Sequence, residues 1–225
     1  MPLPDFTSPT TFPLFTSLPL TTTPSSSSSE EYYLLAQIHQ NMTLTKPTLI
    51  CTDATNTSFA IVFGSRPASG PDTLDFARLG YRRGATLVLP GVRRTPPKEG
   101  DGSKGFVSIA REEEGRVRVV PSSAGGGKAE GEGSGGTKGV ERVVRVGGWL
   151  RGRDAGGDGD GERGCESCGG EARKDGAGGE KAALMKCTGC GEVEYCCKEC
   201  QAKGWNEGGH KADCKVIKAI RAIWS

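Results

Sequence analysis

Eight residues between positions 165 and 214 have the types and the spacing to hold metal. They fall into four pairs: Cys165 with Cys168, Cys187 with Cys190, Cys196 with Cys200, and His210 with Cys214. Thiolate sulfur and imidazole nitrogen are donors that Zn²⁺ favours, and four of them complete its tetrahedron. In the first two pairs the sulfurs are separated by two residues, the span of a tight turn that aims both at one point. A glycine follows each of these pairs, Gly169 and Gly191, and allows the positive φ that closes such a turn. In the last two pairs the donors are four residues apart, which on an α-helix places them on one face, one turn above the other. A pair supplies half a tetrahedron, so each ion has to be shared between pairs distant in the chain. Two zinc ions are therefore the expected cofactors. Sites closed by four protein donors leave no position for water or substrate, which makes both structural and not catalytic.

A disulfide framework is the competing reading of so many cysteines, and it needs an oxidising compartment. The first 29 residues contain no Lys or Arg and so lack the charged start of a secretory leader. The expectation is an intracellular protein, in the nucleus or the cytoplasm and not secreted, with reduced thiols free for metal.

The order of the ligand pairs, with Tyr195 before Cys196, Gln201 after Cys200 and Trp205 ahead of His210, resembles a MYND-type zinc finger. A RING finger would carry its histidine near the middle of the series, whereas here it is seventh. The resemblance covers the C-terminal quarter. It implies an interleaved ligand set, with Cys165, Cys168, Cys196 and Cys200 on one ion and Cys187, Cys190, His210 and Cys214 on the other. It also favours Cys196 over its neighbour Cys197, which is left as a spare thiol. Two departures from the family are the Gly-rich, charged stretch 169–186 between the first two pairs and Gly208 with Gly209 before the histidine, both read as loop insertions.

The elements that must carry this finger are less sharply written. With 35 glycines and 6% aromatic residues in 225, a single large core is not expected. Residues 1–29, rich in Ser, Thr and Pro, read as a disordered leader. Residues 30–146 read as a small β-rich domain, a barrel or sandwich, with a Gly-rich insertion near 121–138. Its opening, 30–40, reads as one short helix, from Leu34, Leu35 and Ile38 after an Ser29 cap. Short β-branched runs at Thr48–Thr52, Ser58–Phe63, 85–89, 105–110 and 116–120 follow as strands, with 140–146 as a sixth. Residues 147–164 read as a flexible linker, 165–214 as the finger, and 215–225 as the continuation of a closing helix over 211–224 with Ile217, Ile220 and Ile223 or Trp224 on its apolar side. Cys51 reads as a buried structural thiol, and Arg93, Arg94, Lys98 and Lys104 as part of a mixed, solvated loop.

No run of eighteen apolar residues occurs, so no membrane partner is expected. The formal charge is +2. Two zinc ions add four charges and seven thiolates remove seven, which leaves about −1 and little electrostatic case for nucleic acid. Upstream of the finger there is no nucleophile elbow and no phosphate loop, so the chain is not expected to be an enzyme. Resemblance to MYND fingers implies instead a protein-interaction adaptor that binds proline-rich segments of partner proteins. Gln201 and Trp205 match the family positions that line such a groove; alternatively Trp205 only covers the zinc core. Nucleic-acid binding through the N-terminal β domain is the alternative function, and a methyltransferase fragment a third.

Overall fold

A seven-stranded mixed sheet, clothed differently on its two faces, forms the centre of the computed structural model, which describes residues 2–23, 31–64, 74–97, 102, 104–122, 138–156, 164–170 and 183–224. Its strands are β1 (Tyr33–Asn41), β2 (Thr48–Thr52), β3 (Ser58–Phe63), β4 (Thr86–Pro90), β5 (Arg94–Thr95), β6 (Phe106–Ile109) and β7 (Arg118–Val120). They lie in the order β5-β6-β3-β2-β1-β4-β7, antiparallel except for the parallel pairing of β3 with β6. The domain is β-rich as expected, but its sheet is open and mixed where a barrel or sandwich was expected.

The segment 30–40, expected as a helix, forms most of β1, an interior strand between β2 and β4. Five consecutive residues, Leu34 to Ile38, are buried because β1 has a packed layer on each face. Two-sided burial replaces the alternating pattern of a half-solvated strand with a continuous apolar run. On one face Leu34, Ala36 and Ile38 join Leu49, Ile61 and Leu87 in a first core. On the other face Leu35 joins Val88 of β4 and Val120 of β7 in a second. Cys51 of β2 is a buried thiol in the first core, and burial pushes its pKa up.

Residues 2–23 of the leader contribute to both cores, contrary to the disorder expected of 1–29, whose residues 1 and 24–29 lie outside the described residues. Phe15 stacks on Phe59 of β3 with ring centroids 4.2 Å apart, and its backbone N–H donates to Asp53 Oδ2 at 3.0 Å. Leu20 forms a parallel bridge with Arg94, and the Arg93 guanidinium donates to the Leu20 carbonyl. Those two arginines therefore hold the leader on the β5 edge, while Lys98 lies outside the described residues. Earlier in the leader, Leu3 and Phe6 are buried in the second core.

Among the described residues three α-helices accompany the sheet: α1 (Lys138–Ala155), α2 (Lys198–Asn206) and α3 (His210–Trp224). Helix α1 occupies both the expected sixth strand at 140–146 and the first half of the expected linker at 147–164. Val140, Val143, Val146 and Leu150 recur at helical spacing and are all buried. The tertiary gain of that stripe overrides the β preference of its valines. At its start the Gly139 N–H donates to Gln37 Oε1 of β1 at 2.6 Å. A side chain at Gly139 would meet Thr86 Oγ1 and that same oxygen within 3 Å, so the glycine sets how closely the helix approaches the sheet. No described helix is long and apolar enough to cross a membrane.

Candidate metal centre

Each cysteine pair is shaped by local backbone bonds. At the first, the Gly169 N–H donates to the Cys165 carbonyl at 2.7 Å and the Cys165 N–H to the Gly170 carbonyl at 2.8 Å, with Gly169 at φ 70°. At the second, the Gly191 N–H donates to the Cys187 carbonyl at 2.8 Å and the Cys187 N–H to the Val193 carbonyl at 2.8 Å, with Gly191 at φ 75°. Two short strands, β8 (Met185–Lys186) and β9 (Glu194–Tyr195), pair antiparallel, β8 leading into Cys187 and β9 into Cys196. The N–H of Glu166 donates to the Glu194 carbonyl at 2.9 Å, which ties the first knuckle to β9.

The four pairs close into two groups. Cys165, Cys168, Cys196 and Cys200 form one, and Cys187, Cys190, His210 and Cys214 the other; within each, all donor atoms lie within 4.8 Å of one another. The Sγ atoms of Cys168 and Cys196 are 3.7 Å apart, those of Cys196 and Cys200 3.5 Å, and those of Cys187 and Cys214 3.8 Å. Cys190 Sγ is 3.7 Å from His210 Nε2. A tetrahedral ion with Zn–S bonds of about 2.3 Å holds its sulfurs about 3.8 Å from one another. These separations fit a shared ion and are far from the roughly 2.05 Å of a disulfide. The two clusters fit two structural zinc ions.

Protons within each cluster are unevenly shared. Burial works against ionisation of Cys165, but the backbone N–H groups of Cys196, Cys168 and Ser167 outweigh it and bring the thiol down to about 6. Cys196, bonded to Cys200, is held well above the ordinary thiol range. Burial likewise opposes Cys187, yet His210 and the backbone N–H groups of Cys190 and Gly189 draw it down to about 6. Thiols this close cannot all ionise beside one another unless a cation compensates them, and a zinc ion supplies that charge.

One local geometry differs from expectation. His210 and Cys214 lie one turn apart on α3, as their spacing predicts. Cys196, by contrast, precedes α2, whose N-cap is Cys197; the Cys197 side chain accepts from the Cys200 N–H at 3.4 Å. The four-residue interval from Cys196 to Cys200 thus spans the start of a helix instead of one of its faces. Cys197 Sγ stays 3.8 Å from Cys196 Sγ but has the capping role.

Glycines bring these parts into contact. A side chain at Gly189 would lie 2.7 Å from Cys214 Sγ, and one at Gly204 of α2 would lie 2.5 Å from the Tyr195 ring. Tyr195 itself is fully buried, with its ring centroid 6.1 Å from that of His210. Gln201 and Trp205 sit one turn apart on α2; Gln201 is half-buried, and Trp205 is 37% exposed with its ring edge-on to His210 at 5.6 Å.

The sequence reading missed the contribution of α1. Arg145 donates to both carboxylate oxygens of Asp213, next to Cys214, at 2.8 Å. Arg153 donates to the Glu192 carbonyl at 3.0 Å, and its guanidinium lies 4.8 Å over the Trp149 ring. From α3, Arg221 bridges Asp154 of α1 and Glu192 of the second knuckle, with four contacts between 2.7 and 3.0 Å. The recurrence of arginine on the polar side of the Val140 stripe was the available signal.

Residues 165–214 match the MYND finger family. No curated protein and no solved structure matches the chain. The matched segment is a zinc-binding module of the protein-interaction kind, and it contains both clusters.

Proposed function

We propose that the chain is an adaptor whose MYND finger binds short proline-rich segments of partner proteins on the face of α2 that carries Gln201 and Trp205. The observation that carries this reading is Trp205, a large aromatic ring left partly open to solvent on a helix packed from behind by α3 and β9. An exposed indole beside an amide suits a peptide of this class. Proline side chains stack on aromatic rings, an amide side chain can bond the peptide backbone, and a pre-extended ligand loses little entropy on docking. Both residues flank the metal clusters without supplying a ligand, so the groove would depend on zinc for its shape and not for chemistry. The finger is a non-enzymatic interaction domain, and we extend that to the chain as a whole.

Titrating the zinc-loaded protein with fluorescent proline-rich peptides tests the assignment. Saturable binding that weakens about tenfold or more in Trp205→Ala and less in Gln201→Ala is expected, as aromatic anchors dominate such interfaces. Absence of binding across a proline-rich peptide library, or affinities indifferent to Trp205, would count against it.

A further inference from the structure

The finger's ligands belong to the layer that covers one face of the sheet. Cys165, Cys187 and Cys214 are buried in one apolar cluster with Leu35 of β1, Val88 of β4 and Val120 of β7. Helices α1 and α3, in contact with each other, connect the two sets. His210 and Cys214 lie in the first two turns of α3, while Ile217 and Ile220 further along the same helix are buried in the layer. The second ion therefore grips the helix that closes the layer. The leader locks it from outside: a side chain at Gly147 of α1 would lie 2.5 Å from the Phe6 ring, and that ring meets Trp224 of α3 edge-on at 5.1 Å.

We infer that zinc occupancy of the finger and closure of this second layer form one equilibrium: loss of metal releases α1, α3 and residues 2–12 from the face of β1, β4 and β7, while the first core keeps the remaining sheet folded. A finger with two-residue strands and one nine-residue helix has too little apolar volume to hold its own shape without metal. Once α3 loses its anchored first two turns, a close-packed layer cannot absorb the displacement locally. The first core has separate cover in Phe15, Leu18, Phe76 and Tyr81, which belong to the other cluster. Metal loss thus uncovers a defined apolar face on a folded sheet. The coupling runs both ways, so whatever loosens the layer must weaken zinc binding by the same factor.

Hydrogen exchange on the full zinc-loaded chain, followed by mass spectrometry before and after addition of a chelator, tests the inference. Amides of α1 and residues 2–12 should lose protection together with those of α2 and α3, while those of β2, β3 and β6 retain it. Loss confined to 165–224, or loss extending through β2, β3 and β6, would overturn it. A second arm uses Leu150→Ala and Gly147→Ala, neither of them a ligand, with zinc affinity read by competition against a colorimetric chelator. Tenfold weaker binding or more is expected in each. Gly147→Ala favours helix and its nearest contacts are all with the Phe6 ring, so it decides the matter if Leu150→Ala fails to fold; unchanged zinc affinity in that variant refutes the coupling.

Discussion

Cys196 and Cys197 are neighbours with different chemistry, and the difference can be measured. Cys196 Sγ lies within tetrahedral distance of Cys168 and Cys200, whereas Cys197 accepts the Cys200 N–H as a helix cap. Serine caps helices well and binds zinc poorly, so Cys197→Ser should keep two zinc ions per chain with stability within about 0.5 kcal/mol. Cys196→Ser should retain one, as read by elemental analysis of the purified protein. That single-site variant also isolates the proton balance of the second cluster. In the metal-free chain burial lowers the His210 pKa, but contacts with Cys190 and Cys187 outweigh it and raise it to about 9. Burial, with the Cys190 and Cys187 charges, lifts Cys214 to about 12, while Cys187 is already near 6. Near pH 7.5 an incoming ion must therefore expel protons from His210 and Cys214 but not from Cys187. A ring whose pKa rises from 6.5 to about 9 stabilises the metal-free fold fully below 6.5, and that contribution disappears as pH rises through 9. Both effects make zinc affinity climb between about pH 6 and 9. Calorimetry in buffers of differing ionisation enthalpy should record at least two protons released per zinc; a pH-independent affinity across that window would contradict the assignment.

Two helices of the finger segment have opposite roles at the scale of elements. Helix α3 presents Val216, Ile217 and Ile220 to the interior, whereas α2 buries only Gly204. Ile220→Ala, at a position with no exposure, should cost about 2–5 kcal/mol in urea unfolding of the zinc-loaded chain. Trp205→Ala should cost less than about 1 kcal/mol, because its ring is partly solvated already. Equal losses would mean that Trp205 is a core residue and not a docking surface. The same contrast explains what could be read in advance. Ligand spacing is local chemistry, so the four ligand pairs and the stripe of α3 were legible from residue order, while the grouping of those pairs into two clusters followed from the resemblance to a MYND finger. Strand β1 was not, because burial on both sides turned Leu34, Leu35 and Ile38 into a pattern that also fits a helix. Helix α1 was not, because its five buried positions include three valines and a glycine, and only their contacts with the sheet and α3 make a helix the better solution. The leader's role depends on partners dozens of residues away, such as Phe15 on Phe59 and Phe6 on Gly147. Composition cannot register such pairings.

At the scale of the whole molecule, the sheet and the finger share a core instead of being strung on a tether. The arginines of α1 and α3 add little to the stability of that contact, since partly exposed ion pairs contribute about 0–1 kcal/mol each. The energy lies in the apolar seam between α1 and α3. This has a consequence for any attempt to treat the finger as a portable module. A fragment of residues 165–224 would hold the full ligand set and should bind two zinc ions, but it would expose Val216, Ile217 and Ile220 where α1 and the sheet cover them in the intact chain. Adjoining apolar side chains on one helix face make an association surface. Light scattering on the zinc-loaded fragment should therefore find self-association at micromolar concentration. Extending the fragment to residues 138–224 returns α1 and its arginines to the seam and should restore a monomer. A fragment of 165–224 that stays monomeric and as resistant to urea as the finger in the intact chain would show that the shared core is a contact of convenience, and that the finger's stability comes from its metal alone.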